Sequence, residues 1–130
     1  MSPAILIVDG QVAVRQIIQQ SLHKTGYKTA STDNANKALE LLDSYEFDGI
    51  IIDDELVGIS GGKLCRQIKE QTTTRHSPVI VTSKSLRITN PEYVKATGAD
   101  LALLKPIAAE KIVKALKSLL NPSRANFNKV

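Results

Sequence analysis

Four side chains with chemical use each stand just beyond a short apolar run. Asp9 follows Ala4-Ile5-Leu6-Ile7-Val8, and Asp53, with Asp54 behind it, follows Gly49-Ile50-Ile51-Ile52. Thr82 follows Pro78-Val79-Ile80-Val81, and Lys105 follows Leu101-Ala102-Leu103-Leu104. A carboxylate at the mouth of a buried strand is costly unless something faces it. Lys105 can be its counterion, and the set is then plain fold electrostatics. A carboxylate can also serve as a nucleophile, and oxygen ligands can hold a hard divalent cation. Each of these uses requires the strand ends to meet at one edge of a sheet.

The elements between these residues alternate in period. Val14, Ile17, Ile18 and Leu22 recur at helical spacing, with Gly26 able to stop that helix. A short second strand is expected from Tyr27 to Ala30. Asp33 or Asn34 can cap a second helix that turns Ala38, Leu39, Leu41 and Leu42 inward. A loop from Glu55 to Ser60 leads to a third helix, about Gly61 to Glu70, with Leu64, Cys65 and Ile68 inward. Ser83 to Thr89 has no clear period. Asn90-Pro91-Glu92 reads as a helix start, and Gly98 as its end near Thr97. A last helix runs from about Ala108 to Leu120 on Ile112, Leu116, Leu119 and Leu120. Strands this short and continuously apolar are buried on both faces, which implies a parallel sheet between helix layers. In such folds the working groups lie beyond the C-terminal strand ends.

At 130 residues the chain suits one domain, with a core of Leu, Ile, Val and Ala because aromatic residues make up only 4%. Cys65 is the single cysteine, so no internal disulfide can form. His23 and His76 have no metal-ligating neighbour at a telling spacing. The net charge of +4 is scattered rather than gathered into a stripe, so direct nucleic-acid binding is not expected. No apolar run is long enough to span a membrane and no leader pattern opens the chain, so the expected location is the cytoplasm.

In order, these residues resemble the receiver domain of bacterial two-component response regulators, from about residue 4 to 120. Ile5-Leu6-Ile7-Val8-Asp9 is similar to that family's first strand and first acid, and Asp53 to its phosphoacceptor, with Gly61 in the loop beyond. Thr82-Ser83 resembles the switch hydroxyl and the small residue after it. Gly98-Ala99-Asp100 and Lys105-Pro106 resemble the closing motifs. The resemblance implies a doubly wound α/β domain with five parallel strands in order 2-1-3-4-5 over residues 1–120. Residues 121–130 are then a polar tail or the start of a linker. It further implies that Asp53 accepts a phosphoryl group from a histidine kinase or phosphotransfer protein. Lys105 pairs with the acyl phosphate, and Thr82 reads it by a hydrogen bond. Magnesium is held by Asp9, Asp53 and the backbone carbonyl of Glu55, and the Lys105–Pro106 bond is cis. The face of the fourth helix, fifth strand and fifth helix serves a homodimer or an output domain.

Several positions depart from that pattern. Gly10 stands where a second acid is usual, so the magnesium site is expected to be weakened or absent. Asp54 should point away from Asp53. The Glu55 side chain is a conceivable substitute ligand. Val57 replaces a loop proline, Ala102 an aromatic switch residue, and Ile107 the aromatic residue that often follows Lys-Pro. The fourth helix starts late. Two readings compete on these grounds. One is a phosphoacceptor that is not an enzyme beyond assisting its own phosphorylation and dephosphorylation. The other is a pseudo-receiver, an interaction module independent of phosphate. A hydrolase using Asp53 as nucleophile lacks a cap domain and a good general acid.

Overall fold

A computed structural model describes residues 2–120, so the expected tail at 121–130 lies outside the described residues. Five strands form one parallel sheet: β1 Ala4–Val8, β2 Lys28–Thr32, β3 Gly49–Asp53, β4 Val79–Ser83 and β5 Leu101–Leu104. Their order is β2-β1-β3-β4-β5, as the resemblance implies. Between them run α1 Val12–Lys24, α2 Ala35–Ser44, α3 Gly61–Glu70, α4 Pro91–Thr97 and α5 Ala109–Leu120. The unassigned stretch before α4 holds a 3-10 turn, Leu86–Thr89, which accounts for the late start of that helix. The second strand begins one residue later than expected and runs on to Thr32, because its ladder to β1 continues from Ala4–Lys28 to Val8–Thr32.

Strand alternation splits the core into two layers. Ile5, Ile7, Ile51 and Ile80 face α1 and α5. Leu6, Val8, Ile50, Ile52, Val79 and Val81 face α2, α3 and the 3-10 turn. Burying each such side chain contributes about 1.5–3 kcal/mol, so β3, buried at every residue, is the axis of the domain. Ile17 is a correction to the expected inward face of α1. It is 56% exposed rather than packed on the sheet.

Local chemistry stops and starts the helices. Asn34, Ser60 and Asn90 each accept a backbone N–H from the first turn of α2, α3 and α4. Gly98 ends α4 in the left-handed region at φ 76°, where a Cβ would be strained. Lys69 of α3 donates to Asp100 at 2.7 Å and to the Ser77 carbonyl at 2.9 Å, stapling α3 to the loop before β5. The Lys105–Pro106 peptide is cis.

The sheet order reverses between β1 and β3. Chain connections leave those two strands in opposite directions across the sheet, so a crevice opens above their C-terminal ends. Asp9 and Asp53 lie there.

Candidate functional site

Asp9 and Asp53 are almost wholly buried at this crevice, and Thr82 is directly in register with Asp53 across the β3–β4 ladder. Lys105, just past β5, reaches back over Thr82. Its Nζ is 3.2 Å from Asp9 Oδ2 and 3.2 Å from Asp53 Oδ1. The four residues expected at one sheet edge are therefore together, in a pocket of two carboxylates, one ammonium and one hydroxyl. Backbone groups finish the positioning. Gln11 N donates to Asp9 Oδ1 at 2.9 Å, Glu55 N approaches Asp53 Oδ1 at 3.4 Å, and Arg15 Nη1 donates to the Asp9 carbonyl at 2.6 Å.

The electrostatics follow from this crowding. Burial pushes the Asp53 carboxyl above its ordinary pKa, and the Asp9 charge adds to the rise while Lys105 opposes it. Burial by itself disfavours the charged Lys105 ammonium, but the charges of Asp9 and Asp53 outweigh it and hold its pKa above the ordinary lysine value. Asp53 is thus a comparatively basic carboxylate beside a fixed positive charge, a sound arrangement for a nucleophile that must take on further negative charge.

Gly61 sets the distance between α3 and this pocket. A Cβ there would lie 2.1 Å from the Asp53 carbonyl oxygen, so only glycine lets the helix begin so close to β3. At Gly10 the opposite holds, since a Cβ there meets nothing within 4 Å. The position expected to carry a second acid is open space at the rim. Among the described residues, no three His, Cys, Asp or Glu side chains gather as a metal-holding group. Two carboxylates with open space beside them suit a hard cation that keeps several of its waters.

The Glu55 side chain is no substitute ligand. Its carboxylate accepts from the Ser83 hydroxyl at 2.5 Å and from Lys84 N at 2.7 Å, which commits it to the segment after β4. Asp54 does point away from Asp53, and it is fully buried among partners on α3, the 3-10 turn and α4. Arg87 and Tyr93 in that cluster escaped the sequence reading. The signal available was Asp54 itself, an acid on a buried strand that needs a cation, but Arg87 lies too far along the chain for spacing to name it.

Beside the pocket a groove of about 510 Å³ runs between α1 and the start of α5. Val14, Ile17, Ile18, Pro106 and Ile107 line it, and Thr82 and Lys105 border it. The exposure of Ile17 belongs to this groove. No helix among the described residues is long and apolar enough to cross a membrane.

A doubly wound sheet with an acid pair, a lysine and a threonine at its switch point defines a receiver-type α/β domain. The chain matches the response regulator receiver domain over residues 5–117 and belongs to that family, whose place is in two-component signalling. It is 28% identical over 128 residues to the sensory/regulatory protein RpfC of Xanthomonas campestris pv. campestris, covering 95% of this chain and 17% of that protein. It is 26% identical over 120 residues to the polar-differentiation response regulator DivK of Brucella anthropi, covering 92% of this chain and 98% of that protein. In structure it is similar to the signal receiver domain of a signal transduction histidine kinase from Syntrophus aciditrophicus. The TM-score is 0.82 at 29% identity, over 93% of this chain and 92% of that one. The chain thus spans a small part of one relative and nearly all of another.

Proposed function

We propose that this chain is a cytoplasmic phosphoacceptor in a two-component phosphorelay, with Asp53 as the residue that is modified. The observation that carries the reading is the Lys105 ammonium poised 3.2 Å from both Asp9 and Asp53, with Thr82 in register beside the acceptor. An Asp53 oxygen attacks the phosphorus of a partner's phosphohistidine. The new O–P bond makes an acyl phosphate as the P–N bond breaks, and the imidazole leaves with its electron pair. Lys105 then exchanges part of its pairing with Asp53 for a phosphoryl oxygen, and the Thr82 hydroxyl donates to another. Magnesium, held by Asp9, Asp53 and the Glu55 backbone carbonyl, would neutralise the charge gathered on the phosphoryl group. The missing acid at Gly10 makes that site weak. The chain is a regulatory substrate in this reading rather than a turnover enzyme.

A donor carrying the phosphohistidine must settle on the surface around Asp53, one side of which is the apolar groove between α1 and α5. The face of α4, β5 and α5 is left for a second copy or an output domain. One observation favours a second reading. Lys105 pairs with both carboxylates and holds them together, as a phosphate-independent interaction module would need.

Incubation with a small acyl phosphate and magnesium, read by intact mass, separates the two. The expected result is one added phosphoryl group, absent from Asp53→Asn. No added mass under conditions that label an ordinary receiver overturns the phosphoacceptor and supports the interaction module.

A further inference from the structure

Asp54 neighbours the proposed acceptor in the chain yet takes no part in its pocket. It is 0% exposed on the opposite side of β3. Gly62 N donates to its Oδ1 at 2.8 Å, and Arg87 Nε and Nη2 each reach its Oδ2 at 2.8 Å. The Tyr93 hydroxyl lies 2.9 and 2.8 Å from its two oxygens, and the Arg87 guanidinium sits over the Tyr93 ring, 5.2 Å from the centroid. Burial, with the Asp54 carboxylate beside it, pushes the Tyr93 phenol up to about 12, so it stays a donor. One carboxylate thereby ties together the start of α3, the 3-10 turn and α4.

The two residues just after β3 also grip the chain just before that turn. Asp54 N donates to the Thr82 carbonyl at 2.7 Å. Glu55 holds the Ser83 hydroxyl and Lys84 N, and lies 3.8 Å from Arg87 Nη2. The segment 82–87 is therefore anchored twice, by a half-exposed acid at Glu55 and by a buried one at Asp54. The two anchors differ in how easily they let go. Glu55 can return to water. Asp54 cannot lose Arg87 without leaving an uncompensated buried charge.

We propose that the Asp54–Arg87–Tyr93 cluster is the pin through which the state of Asp53 is passed to α4, with Glu55 as the anchor that yields. The proposal rests on the phosphoacceptor reading. A phosphoryl group adds about −1.5 to −2 charge two residues from the Glu55 carboxylate. That charge opposes Glu55 while Thr82 is drawn inward, and both effects free residues 83–85 from β3. Arg87 stays on Asp54, so the turn and α4 move as one piece about that pair. Ala102, too small to relay anything from β5, leaves this route to the chain's own polar contacts.

Hydrogen exchange by mass spectrometry on the full chain, with and without the acyl phosphate and magnesium, tests the proposal. Intact mass on the same samples reports labelling. In the wild type, labelling changes exchange over residues 86–97 by about threefold or more and leaves α2 unchanged. Arg87→Met keeps the apolar stem and removes the guanidinium. It still accepts the phosphoryl group but loses more than half of that response. Tyr93→Phe, which removes one hydroxyl and keeps the ring, loses a smaller part and serves should Arg87→Met not fold. A full response in both variants, or added mass with no change over 86–97 in the wild type, overturns the pin and leaves the phosphoacceptor standing. No added mass overturns both.

Discussion

Replacing Lys105 with Met tests whether the pocket is held together by charge. The ammonium lies 3.2 Å from each of two buried carboxylates, and at an effective dielectric of about 20 each contact is worth roughly 5 kcal/mol of gross attraction. Little of that is net stability, because burial of the ammonium opposes it. Removing one partner alone leaves the acids uncompensated, which typically costs about 3–5 kcal/mol. The variant has one escape, which is to keep one carboxyl protonated. From an unfolded pKa of about 3.9 that costs about 1.4 kcal/mol per pH unit, a ceiling of roughly 4 kcal/mol at pH 7. The expected loss is therefore about 3–4 kcal/mol at pH 7. The sign with pH is set by the same escape. The folded variant binds its extra proton more tightly than the unfolded chain, so its stability recovers as pH falls, and the loss at pH 5 is about 1–2 kcal/mol. Urea unfolding of both proteins at pH 7 and pH 5 measures this. The double variant with Asp53→Asn recovers most of the loss, because Asp9 then has no like charge facing it. A loss below about 1 kcal/mol at pH 7, or one that does not shrink by pH 5, refutes Lys105 as the counterion.

Three further outcomes follow from the same geometry. Asp53→Asn melts at a higher temperature than the wild type at neutral pH. The raised Asp53 pKa means its charge opposes folding above that pKa, and calorimetry shows the two proteins converging as pH falls below the ordinary carboxylate range. Gly10→Asp fits without a clash and tightens magnesium about tenfold, or 1.4 kcal/mol, in a direct titration; unchanged affinity places residue 10 away from the metal. Gly61→Ala forces a Cβ to within 2.1 Å of the Asp53 carbonyl, costing about 2–3 kcal/mol in urea and slowing acyl-phosphate labelling; a cost under about 0.5 kcal/mol shows that α3 can retreat freely.

The sheet was legible because β1 and the runs Ile50–Ile52 and Val79–Val81 of β3 and β4 are apolar on both faces, a pattern that a strand buried on both faces requires. The helix starts at Asn34 and Asn90 were legible because capping is local chemistry. The candidate site was legible for a different reason, since each of its residues stands at or just beyond the C-terminal end of a strand and a parallel sheet brings those ends together. What stayed hidden depends on contacts far apart in sequence. Glu55 gave no sign that it would turn to Ser83 and Lys84, and Arg87 in an aperiodic stretch gave none that Asp54 would claim it. The displacement of β2 and the exposure of Ile17 had the same origin. Edge pairing and exposure are decided by neighbours that periodicity does not name.

The uniform centre of β3 carries a final consequence, for how the chain finds its register. Three consecutive isoleucines fit either layer of the core equally well, so hydrophobicity cannot tell this strand from itself shifted by one place. Its ends can. A Cβ at Gly49 would stand 2.8 Å from Leu116 Cδ1 and 3.3 Å from Ile5 Cδ1, so Ile50 could not move back into that position, nor Asp48 forward. At the other end the backward slip would carry Glu55, longer by a methylene, into the closed space that fits Asp54. The forward slip would set Ile52 against Lys105. The strand is therefore proofread at its two ends, by one residue with no side chain and by two acids that cannot trade places.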